Sequence, residues 1–353
     1  MRNLIVAFVW TALAVFSTSA FAGDTVISLS YGGISRSSIL YVPANYNSAN
    51  AYPLILAFHG SGGTGAEMEN ITAFDALADQ YGFLVAYPES NGSTWVITGT
   101  NNDVGFTTAL LPAIEASYHV DPTRVYAAGY SQGATLSHQI GFCQGNLVAG
   151  IGNAAMDLWT GSQTCKPSPA LLYVKFHGTA DPVVPYNGMT SGSLTSLSAP
   201  ATAQFLAQID NCANQSSPTT TYFPDTLNDG SSQTDFKNYW SSCPSGVNVT
   251  FYSITGGGHT WPGGTQRNNP TLGPTSQGVN ASQILWTAFS TQKNPNAFAG
   301  VCGAANNVST SVAPSTGLCQ IGVSTSVSGA GPWYWTCPGY NGGAAANCSA
   351  PKM

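Results

Sequence analysis

Charge is what this sequence most lacks. Of 353 residues only 7% are Asp, Glu, Lys or Arg, nine basic against fifteen acidic, and the net charge is −6. Without a basic stripe there is no electrostatic footprint for a polyanion, which argues against nucleic acid and against an anionic membrane as partners. Histidine is scarcer still, with five residues in all, so acid–base chemistry near neutral pH has few side chains to draw on. After Phe16 no stretch is apolar enough to span a bilayer. C-x-x-C pairs are missing as well, which removes the usual zinc spacing, and no metal site is expected.

What is present begins with Met1-Arg2-Asn3, an apolar run from Leu4 to Phe16, and Ser19-Ala20-Phe21-Ala22. A charged start, a short apolar centre and an A-x-A end are the parts of a secretory signal, so residues 1–22 are read as one and the protein as secreted. In an exported chain, eight cysteines imply four disulfides. Sequence neighbours pair Cys143 with Cys165 and Cys212 with Cys243. Cys302, Cys319, Cys337 and Cys348 form a cluster for which three pairings are open.

Hydrophobic patterning alternates between two periods. Thr25–Leu29 and Ser37–Val42 read as opening strands. Pro53–His59 and Phe83–Pro88 are continuous apolar runs, as in strands buried on both faces. Ala66–Tyr81 and Val104–Tyr118 carry helical spacing. Further apolar runs fall at 124–129, 147–155, 171–176 and 247–254, and helix-like segments at 134–140, 201–209 and 282–289. Strands alternating with helices predict an α/β domain with a mostly parallel sheet over residues 23–298. Two polar stretches, 187–198 and 214–239, interrupt it and are expected to be lids, substrate walls or disordered insertions. From residue 299 to 353 the composition shifts to Gly, Ala, Ser and Asn with four cysteines and the clump Trp333-Tyr334-Trp335. A segment this small cannot hold a core without covalent staples, and it is expected to be a disulfide-rich β module.

The chemistry is expected at Gly129-Tyr130-Ser131-Gln132-Gly133. It reads G-x-S-x-G between a strand and a helix, the context of a nucleophile elbow, in which a sharp turn lifts the serine hydroxyl clear of the sheet. A hydroxyl needs a base to become a nucleophile. His119 and His138 fall within or beside helical patterns and are read as structural. His59 and His177 each end a strand before a glycine, where bracing a loop is the simpler role. His259, in the glycine-rich loop Gly256–Gly263 after the last strand, is the expected base. Asp181, just past the strand 171–176, is the expected carboxylate partner, with Asp157 and Asp210 as competitors. The chain order serine, aspartate, histidine is that of the α/β-hydrolases. Acyl transfer also needs hydrogen-bond donors where an oxyanion develops. These are expected from the backbone N–H of Gln132 and, in the loop His59–Gly63, from that of Ser61. Trp261, Trp95 and His59 are candidate walls of a substrate pocket, with core packing as the alternative for both tryptophans.

The motifs His59-Gly60 with its glycine-rich loop, Asp121-Pro-Thr-Arg-Val125 leading into G-Y-S-Q-G-A, His177-Gly-Thr-Ala-Asp-Pro-Val-Val-Pro-Tyr186 and Gly256-Gly-Gly-His-Thr-Trp-Pro-Gly-Gly264 together resemble the secreted polyhydroxybutyrate depolymerase and feruloyl esterase-like family of α/β-hydrolases. The resemblance spans residues 25–290. It implies Ser131, Asp181 and His259 as a triad, and ester hydrolysis through an acyl-serine without a cofactor. The expected substrate is a short-chain polyhydroxyalkanoate polyester, such as polyhydroxybutyrate. A feruloyl or acetylxylan ester on plant cell-wall polysaccharide is the alternative, and a non-catalytic binding protein the remaining one. The C-terminal module is expected to hold the protein on an insoluble polymer through Trp333, Tyr334 and Trp335, or else to use them as its own core.

Overall fold

The computed structural model describes residues 22–353 apart from 100–101, 145–146, 161–164, 166–169, 193, 215, 225–233, 267–268, 297, 322–323 and 341–342. The expected signal segment, but for Ala22, lies outside the described residues. Among the described residues no helix is long and apolar enough to cross a membrane.

The opening pair is a long hairpin, β1 (Gly23–Tyr31) and β2 (Ile34–Val42). Next come β3 (Tyr52–Phe58), α1 (Gly65–Thr72), α2 (Phe74–Tyr81) and β4 (Leu84–Pro88). The periodicity over 66–81 suggests one helix, but the structure breaks it in two. Ala73 takes a left-handed conformation (φ 49°) and its N–H closes on the Glu69 carbonyl, ending α1 where α2 begins. α3 (Asp103–Glu115), β5 (Val120–Tyr130), α4 (Gln132–Cys143), β6 (Gly150–Ala154) and β7 (Leu172–Gly178) follow. β3, β4, β6 and β7 are buried along their whole length, as continuous apolar runs require.

Stretch 187–198 holds a small hairpin, β8 (Thr190–Ser191) with β9 (Leu194–Thr195), and α5 (Ala199–Ile209) follows it. Stretch 214–239 departs from its expectation as a lid or disordered insertion. Its described part forms β10 (Thr219–Pro224) and β11 (Thr234–Trp240), two antiparallel strands that extend the main sheet beyond β12 (Val249–Ile254). Thr, Tyr, Phe and Trp supply the β-propensity there, and the polar residues mixed through both strands disguise it. α6 (Ala281–Phe289) closes the domain.

One sheet of ten strands results, in the order β1-β2-β4-β3-β5-β6-β7-β12-β11-β10. The six central strands from β4 to β12 run parallel, with antiparallel strands at both margins. Adjacent residues of β6 reveal the layers. Ile151 meets Gly141 of α4 while Gly152 faces Leu285 of α6, and neighbours on a strand point to opposite faces. The two helices therefore cover opposite sides of the sheet, and the structure is the α/β-hydrolase fold with its carboxyl strand ends gathered at one rim.

Past Phe298 the chain forms two small two-stranded sheets of its own. β13 (Val301–Cys302) pairs with β14 (Cys319–Ile321), and β15 (Trp333–Cys337) with β16 (Ala346–Ala350). Disulfides Cys302–Cys348 and Cys319–Cys337 settle the pairing that spacing leaves open. The other two bridges join Cys143 to Cys165 and Cys212 to Cys243, as sequence neighbourhood suggests.

Candidate active site

The turn between β5 and α4 is built by two glycines. A Cβ on Gly129 would collide with the carbonyl of Gly133, and one on Gly133 with the carbonyl of Phe58 in β3. Only bare backbone lets strand and helix close on each other here. Ser131 takes up the turn, at φ 53° and ψ −123°, a backbone region costly for a residue with a Cβ. The strain presents its hydroxyl at the rim.

Three segments meet at that hydroxyl. His259 Nε2 lies 2.9 Å from Ser131 Oγ, and His259 Nδ1 lies 2.8 Å from Asp181 Oδ2. With a carboxylate at Nδ1, that nitrogen carries the hydrogen and Nε2 is left to accept from the serine. The loops carrying acid and base are zipped together: Thr179 N–H donates to the Ile254 carbonyl and Ala180 N–H to that of Gly257. A Cβ on Gly178 would collide with the Gly257 carbonyl, so the end of β7 must be bare backbone for the two segments to close. Tyr130, just before the serine, donates its hydroxyl to the His259 carbonyl at 2.7 Å and so ties the elbow to the histidine loop.

Asp181 is buried, and burial alone would raise its pKa. Hydrogen bonds from His177 and His259, the charge of His259 and the N–H of Val184 outweigh burial and hold it well below the usual carboxylate range. Its Oδ1 accepts the backbone N–H groups of both Val183 and Val184 at 2.8 Å. The carboxylate is thus fixed in charge and in direction. The competing acids lie elsewhere: Asp157 pairs with buried Lys175, and Asp210 occupies the C-terminal cap of α5.

A cavity of about 280 Å³ opens over Ser131. The loop His59–Gly63 forms one wall, and Glu67, Ile71, Val183, Gln266 and Leu272 complete it with Tyr130 and His259. A Cβ on Gly60 would sit 3.3 Å from that of Ser131, so this loop runs directly past the nucleophile. Gln132 is the first residue of α4, where an N–H has no acceptor within its own helix.

Residues 36–184 match the family described as Esterase PHB depolymerase. That span takes in Ser131 and Asp181 and stops short of His259. The chain is 29% identical over 241 residues to "Feruloyl esterase B" of Piromyces equi, covering 64% of this chain and 42% of that protein. It is 26% identical over 234 residues to "Bifunctional acetylxylan esterase/xylanase XynS20E" of Neocallimastix patriciarum, covering 65% of this chain and 31% of that one. The chain thus spans less than half the length of either relative. Among solved structures, one titled "Crystal Structure of a Thermostable Esterase" shares the fold at 14% identity and a TM-score of 0.51, over 76% of this chain and 63% of that one.

The tryptophans expected as pocket walls are not brought to the cavity. Trp261, beside His259 in sequence, points into the core, donating to Ser282 Oγ and meeting Phe74 edge-on. Trp95 is buried behind the loop at residue 59. Its indole N–H donates to the His59 carbonyl at 2.7 Å, its ring lies against the His59 ring, and its backbone N–H donates to Gln132 Oε1. It braces both expected oxyanion segments from behind. The segment carrying Trp95 is itself anchored, since Asp103 accepts the Val96 N–H and pairs with buried Arg36. His59 reaches the cavity wall but spends Nδ1 on the Gly60 carbonyl at 2.7 Å, which is the loop-bracing role. His138 bonds Tyr173 inside the core, and His119 is half-buried beside Tyr46.

The structure adds Glu67, Gln266 and Tyr130 to the site. Gln266 accepts the Trp261 N–H through Oε1 and lines the cavity. Tyr130 stands inside the motif, yet its partner is 129 positions away and nothing local signals it.

Proposed function

We propose that this protein is a serine carboxylic ester hydrolase in which Ser131 is the nucleophile, His259 the general base and Asp181 its carboxylate partner. The observation that carries the reading is the unbroken hydrogen-bonded path from Ser131 Oγ through His259 to a doubly anchored Asp181. As Oγ attacks an ester carbonyl, its proton passes to Nε2, and Asp181 stabilises the imidazolium that forms. Carbonyl π electrons move onto oxygen, where the backbone N–H groups of Gln132 and Ser61 are the proposed donors. Collapse expels the alcohol, which takes the proton from Nε2. Water, activated by the same imidazole, then frees the acid from the serine. No cofactor is required.

We assign the substrate to short-chain polyhydroxyalkanoate polyester. Support comes from the family match and from a cavity just large enough for a small acyl group, with apolar Ile71, Val183 and Leu272 on its wall. The second reading, a feruloyl or acetylxylan ester of cell-wall polysaccharide, is favoured by the names of the two relatives. Both place the protein outside the cell, consistent with its four disulfides. Residues 299–353 are proposed as an accessory module.

One panel decides among them. Hydroxybutyrate oligomers, methyl ferulate and acetylated xylan are offered to wild type and to Ser131→Ala. Turnover of the oligomers, lost by about 10⁴-fold or more in the variant, is the expected result. Turnover of the plant esters alone transfers the assignment to the second reading. Equal rates in both proteins would sink the catalytic reading.

A further inference from the structure

Asp181 is shared by two histidines, and the second one belongs to a buried group that the proposed reaction does not use. Lys175 and His177 are two apart on β7, so they face the same side, and both are fully buried. Lys175 Nζ donates to the Met156 carbonyl, lies 2.7 Å from Asp157 Oδ1 and 3.2 Å from His177 Nδ1. Of the three hydrogens on its ammonium, two have recipients here, the Met156 carbonyl and His177 Nδ1. Neither Asp157 oxygen meets hydrogen-bond geometry despite this proximity, so charge rather than alignment joins it to Lys175. Asp157 Oδ2 also lies 3.5 Å from His177 Nδ1.

The other edge of the His177 ring faces Asp181. Nε2 is 2.9 Å from the Val184 carbonyl and 3.4 Å from Asp181 Oδ2, the oxygen that also accepts from His259. A carbonyl cannot donate, so Nε2 must carry the hydrogen. That hydrogen goes to the Val184 carbonyl, and the acid lies beside it at ion-pair distance.

We propose that His177, held by Lys175 and Asp157, is a positioning residue that fixes the orientation of Asp181 and, through it, the proton affinity of His259. This rests on the triad reading above. The charges fit such a role. Burial pushes Lys175 down although Asp157 opposes it; burial and Lys175 push His177 down, but Asp157 and Asp181 outweigh them and raise it. Burial would raise Asp157, yet Lys175 and His177 lower it. The cation at Lys175 therefore stands between two carboxylates, Asp157 beside it and Asp181 on the far edge of the His177 ring. The remaining titratable neighbours are quiet. Tyr186 stands edge-on to His177 with its hydroxyl on Ser253, and His138, pushed down to about 3 by burial and by Lys175, stays neutral beside Tyr173.

The test is the acid limb of kcat/KM against pH, on a soluble ester, in four variants beside wild type and Ser131→Ala. Lys175→Met removes a cation behind Asp181, so the imidazolium of His259 gains stability and the limb moves up by about half a pH unit. Asp157→Asn removes an anion, and the limb moves down by about as much. A merely structural role has no reason to give opposite signs. His177→Leu lowers kcat about tenfold or more with KM within about twofold, because a displaced acid misplaces the base. His177→Gln, which keeps an N–H donor, recovers most of that loss. If either charge variant fails to fold, the Leu and Gln pair at residue 177 carries the test. An unmoved limb, or equal activity of the two residue-177 variants, with Ser131→Ala inactive, overturns this inference and leaves the triad reading standing. Full activity of Ser131→Ala overturns the triad reading instead.

Discussion

The sheet domain and the C-terminal segment reach order by opposite means. Residues 23–298 bury one large apolar cluster running from Leu40 to Phe289, with strands covered on both faces, beside a small one of Ala134, Met156 and Val184. Among the described residues of 299–353, only Cys319, Trp333, Trp335, Cys337, Cys348 and Ala350 form a buried core, and half of these are disulfide-bonded cysteines. In the first region burial supplies the stability and leaves the rim free to hold a strained serine and an isolated group of charges. In the second, covalent closure of the unfolded chain does the work that area cannot.

The comparison is broken most severely at the elbow. Gly133→Val is expected to abolish ester hydrolysis, because its side chain would displace β3 or α4 at the point where Ser131 is set. Soluble protein with wild-type rates would show that the close approach is not what sets the nucleophile. Next comes the double replacement Cys319→Ala with Cys337→Ala. Opening a loop of this size costs about 3 kcal/mol, more than so small a core can spare, so the segment should unfold while ester hydrolysis persists. Tryptophan near-UV dichroism and proteolysis of residues 299–353 report the first, rates the second. Loss of activity together with the segment would mean that the two regions are not separable.

A smaller effect sharpens the comparison at their junction. Glu115 ends α3, which packs near β14, and burial pushes its carboxyl up to about 8 from 4.5. Between those pH values the folded protein keeps a proton that the unfolded chain has released, so this group weakens the fold as pH rises through the window. Glu115→Gln should therefore raise stability by about 4 kcal/mol at pH 8 and leave it unchanged near pH 4. Denaturant unfolding at the two pH values measures it, and an equal effect at both would exclude the buried-carboxyl account. The least effect is expected from Tyr334→Ala. Trp333 and Trp335 face inward and Tyr334 alone of the three is exposed, so stability should stay within about 0.5 kcal/mol. Of the three aromatics, that ring alone is left to adsorb to polymer, and granule binding by the variant tests whether it does.

The inward turn of aromatics is also where reading the sequence stops. Trp95, Trp261, Trp333 and Trp335 all stand beside motifs or cysteines, and all four are buried. Adjacency to a reactive residue along the chain says nothing about which side of the backbone a ring takes. The central strands and the helices were readable because a continuous apolar run and a 3.6-residue period are both local marks of burial. β10 and β11 were not, since an edge hairpin with one solvated face mixes polar and apolar residues. The break at Ala73 was hidden for a related reason, as alanine carries no sign of a left-handed turn.

By itself, the sequence determined the alternation that makes a parallel sheet, the glycine-flanked serine, and the small set of histidines and acids from which a base and its partner could come. These are matters of composition and short spacing, which need no knowledge of distant contacts. Tertiary structure alone decided that Lys175, His177 and Asp157 stand behind Asp181, that Tyr130 holds the His259 loop, and how the last four cysteines pair. Each depends on residues far apart in the chain meeting at one rim or one core, and such meetings are fixed by packing rather than by any local pattern.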